Sequence, residues 1–134
     1  MSKEPTRPVY SAGIVEGSDN CFLIVREPQP DGRPGEWSFP RCPVLAGESP
    51  EEAMRRLGRE QLGLDVEIII GQPPLFSEAK GGGTVELRYF FCGIAGGEAS
   101  QGPYEDFRWI AKPQLCEYDF DWASREVVQW LLEQ

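Results

Sequence analysis

The chain has 134 residues, 22 acidic and 13 basic side chains for a net charge of −9, four cysteines and no histidine. That length suits a single domain with a real core, and the acidic balance works against indiscriminate binding to nucleic acid phosphates. The missing histidine excludes Ser-His-Asp and Cys-His catalysis, and Cys21, Cys42, Cys92 and Cys116 form no Cys-x-x-Cys zinc spacing.

Residues 1–7 read as a flexible polar arm without the apolar core of a signal peptide, and no later run is long enough to span a membrane. The expected setting is the cytoplasm, with reduced thiols. Val9–Val15 and Cys21–Arg26 read as strands, and the turn residues Gly17–Asn20 between them suggest an antiparallel pair. A Pro/Gly-rich loop at 27–35 leads to a short strand, Trp37–Phe39, and a second loop, Pro40–Gly47. Val66–Ile70 is a β-branched strand, and 72–84 reads as a mobile stretch. Val85–Ile94 alternates, with Val85, Leu87, Tyr89 and Phe91 on one face and Glu86, Arg88, Phe90 and Cys92 on the other. After an acidic turn come a strand at Phe107–Ile110 and a closing amphipathic helix, Ala123–Leu132. Tyr118, Phe120 and Trp122 alternate between these two; packing over the end of the core is favoured over stacking on a base. With no internal repeat, residues 1–134 read as one domain.

A charged helix from Pro50 to Leu62 carries its own start and stop signals. Ser49 is the N-cap, Pro50 the first helical residue, Glu52 completes a capping box and Gly63 ends it. Arg55, Arg56 and Arg59 either pair with Glu51, Glu52 and Glu60 along the helix or form a local anion site. On a regular helix positions 57, 60 and 61 share one face.

The segment from Cys42 to Leu64 resembles the Nudix hydrolase box, G-x5-E-x7-R-E-U-x-E-E-x-G-U, where U is bulky and aliphatic. Glu48, Arg56, Glu60, Gly63 and Leu64 match it, whereas Cys42, Leu57, Gly58 and Gln61 depart from it. The flanks W-S-F-P and G-E-S-P-E-E-A and the late pair Trp109-Ile110 extend the likeness over nearly the whole chain. The resemblance implies an α/β (α+β) fold, an α/β/α sandwich with a mixed central β-sheet, the loop-helix and a C-terminal helix. It implies hydrolysis of a nucleoside diphosphate linked to another group, with Mg²⁺ or Mn²⁺ against the diphosphate. Glu60 would hold metal and act as base, Arg56 would orient Glu60, and Glu48 would add a second carboxylate, with Glu105 a further ligand. Arg26, Arg41 and Phe39 would meet substrate, although Arg41 could equally pair with Glu48 and close the site. Because Leu57 and Gln61 stand where the family has metal-binding Glu, the expected metal site is weak and turnover slow or lost. The alternative is a non-catalytic module that binds a nucleotide or a protein. The expected partner is a small nucleotide or phosphorylated metabolite, with no generic nucleic acid binding and no membrane; a homodimer is compatible.

Overall fold

The computed structural model describes residues 8–78 and 82–134. The arm at 1–7 and the first glycine of the triple run lie outside those residues. Eight strands and two main helices follow one another: β1 (Val9–Val15), β2 (Cys21–Arg26), β3 (Trp37–Ser38), β4 (Arg41–Pro43), α1 (Pro50–Leu57), β5 (Leu64–Gly71), β6 (Leu75–Glu78), β7 (Thr84–Gly97), β8 (Asp106–Ala111) and α2 (Trp122–Leu132). A five-stranded mixed sheet runs β4-β1-β7-β5 with β6 also on β7, and a three-stranded antiparallel sheet runs β3-β2-β8. The β1–β7 ladder is parallel, and every other ladder is antiparallel.

The expected β1–β2 hairpin does not form. The two strands enter different sheets, and the Glu16–Phe22 bridge is the pairing recorded across the turn. The turn itself explains the split: Asp19 and Asn20 both adopt left-handed backbone, at φ 61° and 56°, which swings the chain out of the plane of β1. Each strand is also apolar on both sides and needs a central place. Ala12 and Ile14 of β1, with Phe22 and Ile24 of β2, face a core that α2 closes with Val127, Val128 and Leu131. Val15, Leu23 and Val25 face the opposite core, closed by Ala53, Met54 and Leu57 of α1. The β7 faces fall as the alternation requires, with Leu87 and Tyr89 toward α2 and Phe90 and Cys92 toward α1. The stretch expected to be mobile contains β6, whose Leu75 pairs with Leu87. Part of the second loop is likewise a strand, with Cys42 of β4 opposite Ser11.

The capping box forms as the residues dictate: Ser49 accepts from the Glu52 N–H, and Glu52 reaches back to the Ser49 N–H. Helix α1 does not run regularly to Leu62. Gly58–Leu62 is a single π turn, closed by the Gly63 N–H on the Gly58 carbonyl, and Gly63 ends it at φ 72°. Gly58 is needed there, because a Cβ would meet the Leu64 carbonyl oxygen at 2.9 Å and Val66 at 3.1 Å. At Gly13 on β1 a Cβ would meet the tip of the Met54 side chain, Cε at 2.5 Å, which would have to shift.

Replacing Gly58 by Ala tests that packing against helix propensity. Propensity alone favours Ala by about 1 kcal/mol, but overpacking against a backbone carbonyl costs about 1–3 kcal/mol. Thermal unfolding followed by circular dichroism is therefore expected to show a Tm lower by about 5 °C; a higher Tm would mean that the π turn is not held by this contact.

Candidate functional site

The entry loop and α1 are joined by a bidentate ion pair. Arg56 Nε donates to Glu48 Oε2 at 2.9 Å and Arg56 Nη2 to Glu48 Oε1 at 3.0 Å. Nη2 also reaches the Pro43 carbonyl at 2.8 Å, and Glu48 Oε1 accepts the Leu45 N–H at 3.1 Å. Both side chains are largely covered, at 18% and 16% exposure. The hydrogen bonds from Arg56 and Leu45 hold the Glu48 carboxyl below its ordinary value, and Glu48 in turn raises the Arg56 guanidinium. Cys42 lies beneath this pair, 1% exposed, with its thiol donating to the Ala53 carbonyl at 3.4 Å. Burial pushes that thiol up, so it is a packing group rather than a thiolate.

Arg56 thus grips Glu48 and also stands 4.0 Å from Oε1 of Glu60, whose side chain is 64% exposed. Leu57 does not share the face of Glu60 and Gln61. It is fully buried in the α1 core with Ala53 and Met54, and the π turn begins directly after it. Gln61 is engaged: its Oε1 accepts the Tyr104 O–H at 2.8 Å. Tyr104 is 5% exposed, and burial first, then Glu27 and Cys42, keep its phenol firmly protonated.

A cleft of about 830 Å³ opens beside this helix end. Its walls include Tyr10 of β1, Glu27 and Glu36 from the ends of the 27–36 loop, Arg41 of β4, Gln61, Tyr104, and Asp121 and Trp122 at the start of α2. Asp121 has two duties. Oδ1 caps α2 by accepting the Ser124 N–H at 2.9 Å, while Oδ2 pairs with Arg41 Nη2 at 2.8 Å. Burial works against the Arg41 charge, but Asp121, Tyr89 and Glu27 more than offset it. Arg41 therefore faces the cleft and α2, and its ion pair is with Asp121 rather than Glu48. Trp122 is 72% exposed although it borders a cavity, whereas Phe120 is buried and stacks on Phe39.

The other expected contacts lie elsewhere. Phe39 is 1% exposed in the α2 core and offers no free face, since it stacks on Phe120 and meets Tyr89 edge-on. Arg26 lies over the Trp37 ring at 5.2 Å and pairs with Glu105 at 3.5 Å, outside the cleft walls. That pairing also engages Glu105 away from Glu60. Asp121 and Tyr104 are among the cleft residues not singled out from sequence. Asp121 carries a signal, a cap residue three before Ser124. Tyr104, in an acidic turn, carries none.

A model of the NUDIX domain matches residues 6–131. The chain belongs to the NUDIX family. It is 28% identical over 118 residues to a Mycobacterium tuberculosis protein provisionally named 8-oxo-dGTP diphosphatase 2, covering 88% of this chain and 81% of that one. To the nucleoside triphosphatase NudI of Escherichia fergusonii it is 29% identical over 123 residues, 83% of this chain and 87% of the other. A solved MutT, from work on the Aliivibrio salmonicida and Vibrio cholerae proteins, superposes with a TM-score of 0.69 at 28% identity, covering 96% and 99% of the two chains.

The family resemblance implies a divalent ion at the end of α1, and the residues of this NUDIX domain do not fit one. Leu57 is closed off, the Gln61 oxygen accepts from a phenol and Glu48 is held by Arg56, which leaves Glu60, itself 4.0 Å from Arg56, as the one exposed carboxylate among the four. Among the described residues no group of three or more acidic, cysteine or histidine side chains is placed to hold a metal ion.

The Glu48 carboxyl yields a pH prediction. Its folded-state value is depressed below the ordinary 4.5, so its contribution to stability is present above that pH and is lost as the pH falls through the folded value. In Glu48→Gln that part of the acid-induced loss should vanish. Chemical denaturation at a series of pH values is expected to give a variant that is less stable at neutral pH and flatter below pH 4.5. Parallel curves would show that the ion pair contributes nothing.

Proposed function

We propose that this NUDIX domain binds a nucleotide or a phosphorylated nucleoside derivative in the cleft, and that its pyrophosphohydrolase turnover is weak or lost. The observation that supports the second half is the end of α1, where Glu60 is the one exposed carboxylate and Leu57 is sealed in the core. The first half is supported by the cleft, with the exposed Trp122 beside the fixed Arg41–Asp121 pair. An indole with a free face suits a planar base, and stacking of this kind contributes about 1–3 kcal/mol. Arg41, held by Asp121, is a preset donor rather than a mobile one. Relatives named for action on 8-oxo-dGTP and on nucleoside triphosphates make those compounds the first to try.

Neutralising charge on a reacting diphosphate is worth several kcal/mol in metal-assisted enzymes, and one exposed glutamate does not supply it. Turnover of nucleoside triphosphates, 8-oxo-dGTP included, is therefore expected to be slower than in an active relative by a factor on the order of 1,000. A thermal-shift screen of the same compounds should nevertheless raise the Tm for at least one of them, less so in Trp122→Ala. Product release at ordinary rates that Glu60→Gln abolishes would overturn the first expectation, and a Tm unmoved by every compound would overturn the second.

A further inference from the structure

The helix end and the cleft are joined by a strap, residues 98–105, that meets the helix end through neutral groups. The Ser100 N–H donates to the Leu62 carbonyl at 2.9 Å. Gly102, at φ +53°, lies against the Gln61 carbonyl where any Cβ would collide. Gln101 Nε2 ties the strap to itself by donating to the Tyr104 and Glu105 carbonyls at 2.8 and 2.7 Å. Gly63, at φ +72°, completes the fit, since a Cβ there would meet the Glu98 carbonyl oxygen at 3.0 Å. The strap thus delivers one buried phenol, Tyr104, onto the one side-chain oxygen of residue 61.

We propose that the Tyr104–Gln61 hydrogen bond takes the place of a divalent ion: it locks the strap to the end of α1 and keeps the cleft formed with no metal bound. The chemistry is reciprocal. A cation needs an anionic oxygen with an open lone pair, whereas an amide oxygen is neutral and a donated O–H occupies the direction from which a cation would approach. With that oxygen engaged, the Gln61 amide nitrogen, which makes no hydrogen bond among the described residues, is left as a donor lining the cleft. The proposal rests on the cleft being the ligand site, but its test needs no nucleotide and so fails or succeeds separately.

The test uses manganese alone as the probe, with Tm and calorimetric titration as the readouts. Four proteins are compared: the native chain, Tyr104→Phe, Gln61→Glu, and Gln61→Glu with Tyr104→Phe. Phe keeps the buried ring and removes only the hydroxyl. The native Tm should be the same in EDTA and in millimolar Mn²⁺, and Tyr104→Phe should lower it in both. Gln61→Glu should respond less than the double variant, because the phenol still engages one oxygen of the new carboxylate. The double variant should regain stability on adding Mn²⁺, by about 3 °C or more, and bind it about tenfold tighter than Gln61→Glu. A phenol that merely packs would not change manganese affinity. Equal affinity in the single and double variants, or a native Tm that climbs with Mn²⁺, would overturn the proposal.

Discussion

The fork between Arg56 and Glu48 is the contact on which the site depends. It is the point where the entry loop, β4 and α1 meet: two bonds to one carboxylate, a third to the Pro43 carbonyl, and a fourth from Leu45 back to the same carboxylate. Both partners are largely covered, so the pair is screened far less than a surface bridge, and each satisfies the other after desolvation. Because the loop is fixed at Glu48, α1 begins at Ser49 with its cap preset, and the helix can lay Ala53, Met54 and Leu57 onto the sheet. The same fork engages both oxygens of Glu48, the residue that reads as a second ligand in the sequence.

From the far end of α1 the structure diverges from what the family box implies. Leu57 and Gly58 look like simple losses, an aliphatic residue where a charge belongs and a void where an aliphatic residue belongs. The π turn shows them as one change. Gly58 lets the backbone come within contact of the Leu64 carbonyl, Leu57 takes the buried place, and the turn that follows closes through a bond spanning five residues. Gln61 then points to the strap and meets Tyr104. A carboxylate restored at position 57 would be buried in a hydrocarbon core rather than placed beside Glu60, so the departure is built into the packing.

Much of the fold was legible because short-range rules carry it. The capping box, the two-faced β7, the closing helix and the breaks at Gly17–Asn20 and Gly63 all follow from residue type and period. What was not legible depended on distance in sequence. Whether β1 pairs with β2 or with β7 is set by burial of both faces, which periodicity cannot assign to a partner. Residues of the second loop became β4 because Val9–Val15 offered it an edge. The fully buried Leu57 was misplaced because regular helix geometry was assumed across a π turn. In the cleft, Arg41 was picked out from sequence but its partner Asp121, 80 positions on, was not. Tyr104 was hidden for the same reason: its role is defined wholly by Gln61, 43 residues earlier.

The account turns on a helix end organised by neutral hydrogen bonds, and a crystal soaked in manganese examines that end directly. The anomalous difference map should show no ordered ion beside Glu60 and Gln61, with the Tyr104 hydroxyl still on the Gln61 oxygen. A fully occupied manganese peak there, with the phenol turned away, would contradict it.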